Sequence, residues 1–178
     1  MTPKLSHERF PLETLLRTRE HYFQRVFAFE ALDVLGEPPE GIAYEAGHDG
    51  LRIYASDEVT MVRAIDMIER RFPHNGEVAP PSVRFKMGRI LEEPIMEVLV
   101  SVPGESLEQV QEELKHRGVE RVDAGIVPGR FVLKGKGSLR RLMGFGARLA
   151  QITRGDAGLS MQLSHYSPLA REPDPEAA

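Results

Sequence analysis

Alternation of apolar and polar residues is clearest in the second half of the chain. Residues 94–102, PIMEVLVSV, place Met or Val at every second position from residue 96, which predicts a β-strand with one buried face. The same alternation recurs in residues 159–166, LSMQLSHY. Two further strands are predicted over residues 119–127 and 130–136, because the Pro128-Gly129 pair between them is typical of a tight turn.

Two segments with helical spacing separate these strands. Residues 106–118, SLEQVQEELKHRG, predict a helix in which Ser106 and Gln109 form a capping box and a final glycine ends the helix. Residues 138–153, SLRRLMGFGARLAQIT, predict a second helix capped by Ser138. The resulting order, β-α-β-β-α-β, predicts a complete ferredoxin-like domain of the α+β class.

The corner between the second helix and the last strand, TRGDAG, is predicted to be structural rather than catalytic. Gly155 can adopt the left-handed conformation that ends a helix, and Gly158 lets the chain turn into the strand. Asp156 is expected to be a turn residue, since its side chain can bond to the nearby backbone. His165 is in phase with the apolar face of the strand, so we expect a packed or edge histidine rather than a catalytic one.

The first half of the chain has a weaker pattern. A hairpin turned at residues 48–50 is predicted to lead into a strand, followed by a helix over residues 57–73 and a strand over residues 80–87. The apolar stripe of this helix includes Val62 and Ile68. Upstream, residues 26–34, VFAFEALDV, are predicted to form the first strand, and residues 10–21, FPLETLLRTREH, a helix that precedes it.

Composition bounds the classes of protein that the chain can belong to. The 178 residues are 41% apolar and 28% charged, as in ordinary globular proteins. No apolar run approaches the ~18 residues that span a bilayer, and the N-terminal residues have no apolar core of a secretory signal. Cysteine is absent, which excludes disulfides and thiolate metal sites. We therefore expect a cytoplasmic protein with no membrane partner.

Charge is distributed unevenly along the chain. The net charge is -4, but residues 115–154 contain ten Lys or Arg against two acidic residues, so this window carries +8 and the remainder -12. Such an asymmetry favours a basic surface that can meet phosphates, although a solvated charged surface gives the same pattern.

Two motifs in the second half resemble a known family. Residues 93–103, EPIMEVLVSVP, and residues 143–166, MGFGARLAQITRGDAGLSMQLSHY, resemble domain V at the C-terminus of elongation factor G. They are also similar to the matching domain of BipA-type and tetracycline ribosome-protection GTPases. The resemblance covers residues 91–168 and implies a ferredoxin-like domain of a translation-related protein; residues 149–151 depart from the family pattern.

The first half resembles domain III of the same factors through its hairpin, helix and final strand. Residues 55–60 replace a glycine-rich segment that is usual in the family, and the family's first helix finds little room between Phe29 and Ile42. We therefore predict two ferredoxin-like domains, of which the first is degenerate. The predicted division is an N-terminal extension at 1–21, the degenerate domain at 22–90, the complete domain at 91–170 and a disordered tail at 171–178.

Motifs for catalysis are missing from the sequence. The glycine-lysine cluster at residues 129–136 has five residues between its glycines, and Gly137 stands where a P-loop needs Ser or Thr to bind magnesium. The six histidines show no i, i+4 pair for a metal. Residues 87–94 run from the first domain into the second with no room for the tRNA-mimicking domain IV of elongation factor G. We expect no enzyme activity, no cofactor and no metal.

The family resemblance and the charge asymmetry favour a non-catalytic module that associates with the ribosome or ribosomal RNA and lacks its own GTPase. A GTPase that acts in trans is a further candidate partner. The cations expected to contact RNA are Lys134, Lys136, Arg140, Arg141, Arg130 and Arg148. The first four are expected to converge at the helix N-terminus capped by Ser138, where backbone N–H groups already favour anions. One alternative is that they pair with acids such as Glu92 or Glu93. Another is a protein-interaction scaffold that dimerises through a sheet edge; the oligomeric state is open.

Overall fold

A computed structural model describes residues 9–20 and 23–169, apart from the side chains of Arg121 and Val122. It contains two antiparallel sheets, and the buried apolar side chains lie between each sheet and its helices. Among the described residues, no helix is both long enough and apolar enough to span a membrane.

The first sheet is built from residues 12–83. Its strands have the order β2-β3-β1-β4, and the short strand β5 also pairs with β1. The elements are β1 (Leu12–Thr18), α1 (Gln24–Leu35), β2 (Ile42–Ala46), β3 (Leu51–Ala55), α2 (Glu58–Arg71), β4 (Gly76–Val78) and β5 (Ser82–Val83). The hairpin and the helix that the sequence predicts here are confirmed.

Two predictions near the N-terminus are wrong. Residues 12–18, predicted as part of a helix, form a strand in the interior of the sheet, with Leu12 and Leu16 fully buried. Residues 26–34, predicted as a strand, lie within helix α1, whose buried side chains include Ala28 and Ala31. The first half therefore has the complete order β-α-β-β-α-β, and its sheet begins before the predicted boundary at residue 22.

The end of the first half also differs from the prediction. Residues 80–87 do not form one strand: β5 pairs with the first sheet, and β6 (Lys86–Met87) pairs with the second. The closing strand of the first sheet is instead β4, which the sequence pattern did not reveal. In helix α2, Ile68 is buried as expected, whereas Val62 is half exposed.

The second sheet confirms the predicted β-α-β-β-α-β order. Its strands have the order β10-β7-β9-β8, and β6 pairs with β7. The elements are β7 (Leu91–Val102), a 3-10 turn (Gly104–Ser106), α3 (Leu107–His116), β8 (Glu120–Val127), β9 (Arg130–Ser138), α4 (Leu139–Leu142), α5 (Phe145–Thr153) and β10 (Gly158–Pro168). Both halves have the strand order 4-1-3-2 when counted within each half, so two ferredoxin-like domains are confirmed.

Helix ends in the second half differ from the predicted caps. The segment 138–153 is two helices, because Met143 is extended (ψ 131°) and Gly144 is left-handed (φ 79°). Neither Ser106 nor Ser138 makes a side-chain capping bond to any residue that the structure describes.

The two halves are joined by more than the connecting chain. Buried apolar residues of both sheets belong to one contiguous cluster. Glu58 Oε1, in the first turn of α2, accepts a hydrogen bond from the Gly144 N–H at 2.6 Å. Beside this bond, a cavity of about 520 Å³ is lined by residues of α2, α5 and the start of β10.

Candidate nucleic-acid interface

Strand β9 divides its side chains between the two faces of the second sheet. Gly135 and Gly137 are buried on the face that the helices cover, whereas Lys134 and Lys136 are exposed on the opposite face. We call this opposite face of the second sheet the open face. The period of two in β9 therefore presents two lysines side by side to solvent.

Both lysines have partners on other strands of the sheet. Lys134 Nζ lies 2.8 Å from Glu97 Oε1, and Lys136 Nζ donates a hydrogen bond to Ser164 Oγ at 3.1 Å. The hydrogen bond from Lys134 lowers the pKa of Glu97, and the charges of both lysines add to this effect. The same bond raises the pKa of Lys134. Because these groups are exposed, their pairing contributes little to stability, and an incoming phosphate can compete for the lysines.

Arg130 holds together the β8–β9 turn and the corner before β10. Its Nη1 lies 2.7 Å from Asp156 Oδ1, and its Nε donates to Ser101 Oγ at 2.9 Å. Asp156 also donates its backbone N–H to the Thr153 carbonyl, as a turn residue does. The corner is thus structural, as predicted, but the Asp156 side chain pairs with Arg130, which the prediction did not include.

Arg140 is occupied by a buried acid. Its Nε lies 3.5 Å from Glu93 Oε2, and the Ser138 hydroxyl donates to the same carboxylate oxygen. Glu93 is almost fully buried, so its charge needs these partners. The alternative in which the basic cluster pairs with Glu93 is therefore confirmed for Arg140.

Arg148 lies in the helical layer on the other side of the sheet. Arg148 Nε is 3.6 Å from Glu113 Oε2, while Arg117 Nε is 2.6 Å from Glu113 Oε1. The hydrogen bond from Arg117 is the main cause that lowers the pKa of Glu113. Arg117 also donates to the carbonyl of Arg141, whose own side chain is exposed.

The predicted convergence of four cations on one helix N-terminus is wrong. Helix α4 has only four residues, Lys134 and Lys136 lie on the open face, and Arg140 turns to Glu93. The six predicted residues instead occupy three places. The open face and its adjoining corner hold Lys134, Lys136 and Arg130. The β9–α4 junction holds Arg140 and Arg141, and the helical layer holds Arg148. Whether they contact RNA stays a prediction.

A β-bulge gives the open face a feature that periodicity does not reveal. The register between β10 and β7 shifts between Leu163 and His165, with Ser164 as the extra residue. His165 is exposed on the edge strand β10, which is one of the two predicted alternatives, and it is not packed, because a bulge moves every later side chain to the other face. Ser164 Oγ lies 3.1 Å from His165 Nδ1 and accepts the hydrogen bond from Lys136.

No group of three or more His, Asp or Glu side chains within the described part of the chain is placed to hold a metal ion.

Comparison with protein families gives a match over the same half of the chain. The family model for the elongation factor G C-terminus matches residues 90–176. This segment contains the complete β7–β10 domain with its helices, and a ferredoxin-like fold is that of the family. The second half is thus an elongation-factor-G-like, translation-related module. Residues 90–176 are therefore a domain of the elongation factor G C-terminal type.

Proposed function

We propose that this protein is a non-catalytic, cytoplasmic module that associates with the ribosome through ribosomal RNA and acts without a GTPase of its own. The observation that carries the proposal is the family match over residues 90–176. The exposed lysines of β9 support it, because they supply exposed cations on a face that no helix of the described chain covers. A GTPase supplied in trans is compatible with this role.

The open face suits contact with a sugar–phosphate backbone rather than with bases. One cross-strand row consists of Ser160, Leu99 and Lys134, and the next of Gln162, Glu97 and Lys136. Neither row has an aromatic side chain on which a base could stack. Binding through this face should therefore depend on salt and on the shape of the RNA more than on its sequence.

Co-sedimentation with ribosomes at increasing salt tests the proposal. We expect the wild-type chain to pellet with ribosomes, and the Lys134→Ala/Lys136→Ala variant to bind more weakly. Its salt slope should become shallower by roughly one unit for each phosphate that the variant no longer neutralises. The matched control is Arg70→Ala/Arg71→Ala, which removes the same charge from the last turn of α2.

Equal binding and equal salt slopes for the wild type and the lysine variant would contradict the proposed surface. No pelleting of the wild-type chain at low salt would contradict ribosome association itself.

Calorimetric titration with GTP tests whether the protein lacks a GTPase of its own. It should give no binding heat, since the chain has no phosphate-binding loop.

A protein-interaction scaffold is the second candidate function. It is favoured by apolar side chains that helix α1 and its first flanking residue leave exposed: Phe23 at 75%, Val26 at 52% and Phe29 at 49%. Phe23 also has a left-handed backbone (φ 71°), an unfavourable conformation for a bulky residue. If the scaffold is the main role, ribosome pelleting should fail while affinity capture through α1 succeeds.

A further inference from the structure

Strand β8 is the outer strand of the second sheet and has a free edge. It pairs with β9 on one side, and no described strand lies on its other side. Val127 and Arg130 flank the two-residue turn between β8 and β9, so they form a hydrogen-bonded pair, and Gly125 with Val132 forms the next such pair. The N–H and C=O groups of Ala124 and Ile126 therefore point away from the sheet.

Residues 124–127 of this edge lack the features that usually prevent strand pairing, since the β-bulge of β8 lies earlier, between Glu120 and Asp123. Between Asp123 and Arg130 the sequence AGIVPG contains no charged residue, and its proline lies in the turn. Ile126 is 80% exposed and Val127 is 42% exposed. Edge strands commonly carry a lysine, an inward charge or a proline at such positions, because bare edges pair with other chains.

Gly125 has no evident role within one copy of the chain. It is not among the glycines with a left-handed backbone. A Cβ built on it would meet the Val132 carbonyl oxygen at 3.8 Å, an ordinary contact. Glycine weakens a strand, and in that setting it often marks the close approach of a second backbone. The lack of an evident role within one copy thus indicates that Gly125 faces a strand of a partner.

We propose that two copies of this chain pair through β8, antiparallel, about a two-fold axis at Gly125. In this register Ala124 lies opposite Ile126 of the second copy, and the two residues exchange both N–H···O bonds. Asp123 lies opposite Val127 of the second copy, so no like charges face each other. The two second sheets become one continuous sheet.

In this register, Gly125 and Ile126 both contribute to the interface between the two copies. The two Gly125 residues form a non-hydrogen-bonded pair, where antiparallel backbones come closest, with Cα atoms ~4.5 Å apart. Ile126 covers Ala124 of the second copy on the face that the helices share. A second copy fits this edge because the pairing is self-complementary. Ala124 of each copy meets Ile126 of the other, so each contact occurs twice, once on either side of the two-fold axis.

Cysteine cross-linking tests the axis directly, since the chain has no cysteine of its own. Two Cys residues on the axis fall within the Cα separation of ~4.4–6.8 Å that a disulfide needs. We expect Gly125→Cys to oxidise to a covalent dimer. Asp123→Cys and Val127→Cys should each form no covalent dimer alone but cross-link when mixed. Ser160→Cys, exposed on the other edge strand β10, is the control.

Cross-linking of Gly125→Cys at no more than the rate of Ser160→Cys would overturn the proposed axis.

A second test uses sedimentation equilibrium on variants without cysteine. Ile126→Lys should abolish the wild-type dimer, whereas Ile90→Lys, at an isoleucine that is 55% exposed outside β8, should retain it. A wild-type chain that remains monomeric at high concentration, or an Ile126→Lys variant that dimerises like the wild type, would refute the pairing. Ribosome pelleting is scored separately, so loss of the dimer does not decide the proposed function.

Discussion

At the scale of single residues, charged groups that look alike in the sequence have different tasks. Lys134 and Lys136 are exposed and can exchange partners, whereas Arg140 neutralises the buried carboxylate of Glu93. Sequence spacing places these cations within seven positions of one another but does not show which of them a buried acid engages. Burial of Glu93 makes the difference, since an unpaired buried charge is costly.

Replacing Arg140 with Ala should therefore destabilise the fold. We expect the free energy of unfolding to fall by about 1–2 kcal/mol, less than the ~3–5 kcal/mol for a fully buried pair, because the Arg140 side chain is 35% exposed. Urea unfolding measures this decrease. Adding Glu93→Gln to Arg140→Ala should recover part of it, since no buried charge then remains; a double variant less stable than Arg140→Ala would argue against this explanation.

Glu113 should make stability depend on pH. The hydrogen bond from Arg117 lowers the pKa of Glu113 below its usual value of 4.5. A carboxyl with a lowered folded-state pKa contributes stability above its unfolded-state pKa, and this contribution is lost as pH falls through the folded-state pKa. Glu113→Gln should be less stable than the wild type at pH 7, and the difference should shrink below about pH 4.5. Urea unfolding at a series of pH values checks this; a constant difference from pH 7 to pH 3 would contradict it.

At the scale of elements, the break between α4 and α5 shows how one backbone angle divides a predicted helix. The segment 138–153 has helical spacing throughout, yet Gly144 adopts φ 79° and its N–H binds Glu58 instead of continuing the helix. Gly146, two residues later, lies inside α5. The two glycines look equivalent in the sequence, but only the first has a left-handed backbone.

Alanine substitution should separate the two glycines. Gly144→Ala should lower the free energy of unfolding by about 1–2 kcal/mol, because an L-residue is disfavoured in the left-handed region. Gly146→Ala should raise it by up to ~1 kcal/mol through helix propensity, since its new Cβ would lie 3.6 Å from Leu159 Cδ2, an ordinary contact. Thermal unfolding of both variants gives the comparison, and a larger destabilisation at Gly146 than at Gly144 would refute it.

At the scale of the whole molecule, two domains of the same topology share one cluster of buried residues. Each half supplies the four main strands of its own sheet, but the Glu58–Gly144 bond and the contiguous apolar cluster link the halves. Val62, whose spacing predicted a core position, lines the cavity between the two halves together with residues of α5. The boundary between the halves thus includes an apolar residue that the sequence pattern assigns to a single core.

The second domain should still fold when it is expressed alone as residues 91–170. All four main strands of its sheet and their helices lie in this segment. We expect a cooperative melt by circular dichroism, at a lower temperature than for the full chain, because the Glu58–Gly144 hydrogen bond and the apolar contacts with the first half are lost. A spectrum without ordered structure would mean that the two halves depend on one core.

Local patterns in the sequence were sufficient to predict almost all of the second domain. Its strands alternate with a period of two and its helix α3 has a clear apolar stripe, and these are local properties that do not depend on distant partners. The turn at residues 128–129 and the corner at Gly155 are equally local, because glycine there provides the left-handed backbone that each needs.

Long-range pairing, by contrast, settled the elements whose local signal is ambiguous. Residues 12–18 become a strand because they pair with β3 on one side and with β4 and β5 on the other, and residues 24–35 are then left to cover that sheet as a helix. The bulge at Ser164 exposes His165, and burial of Glu93 withdraws Arg140 from the surface cations. Each outcome depends on residues far apart in the chain, and periodicity along the sequence does not encode which of them meet.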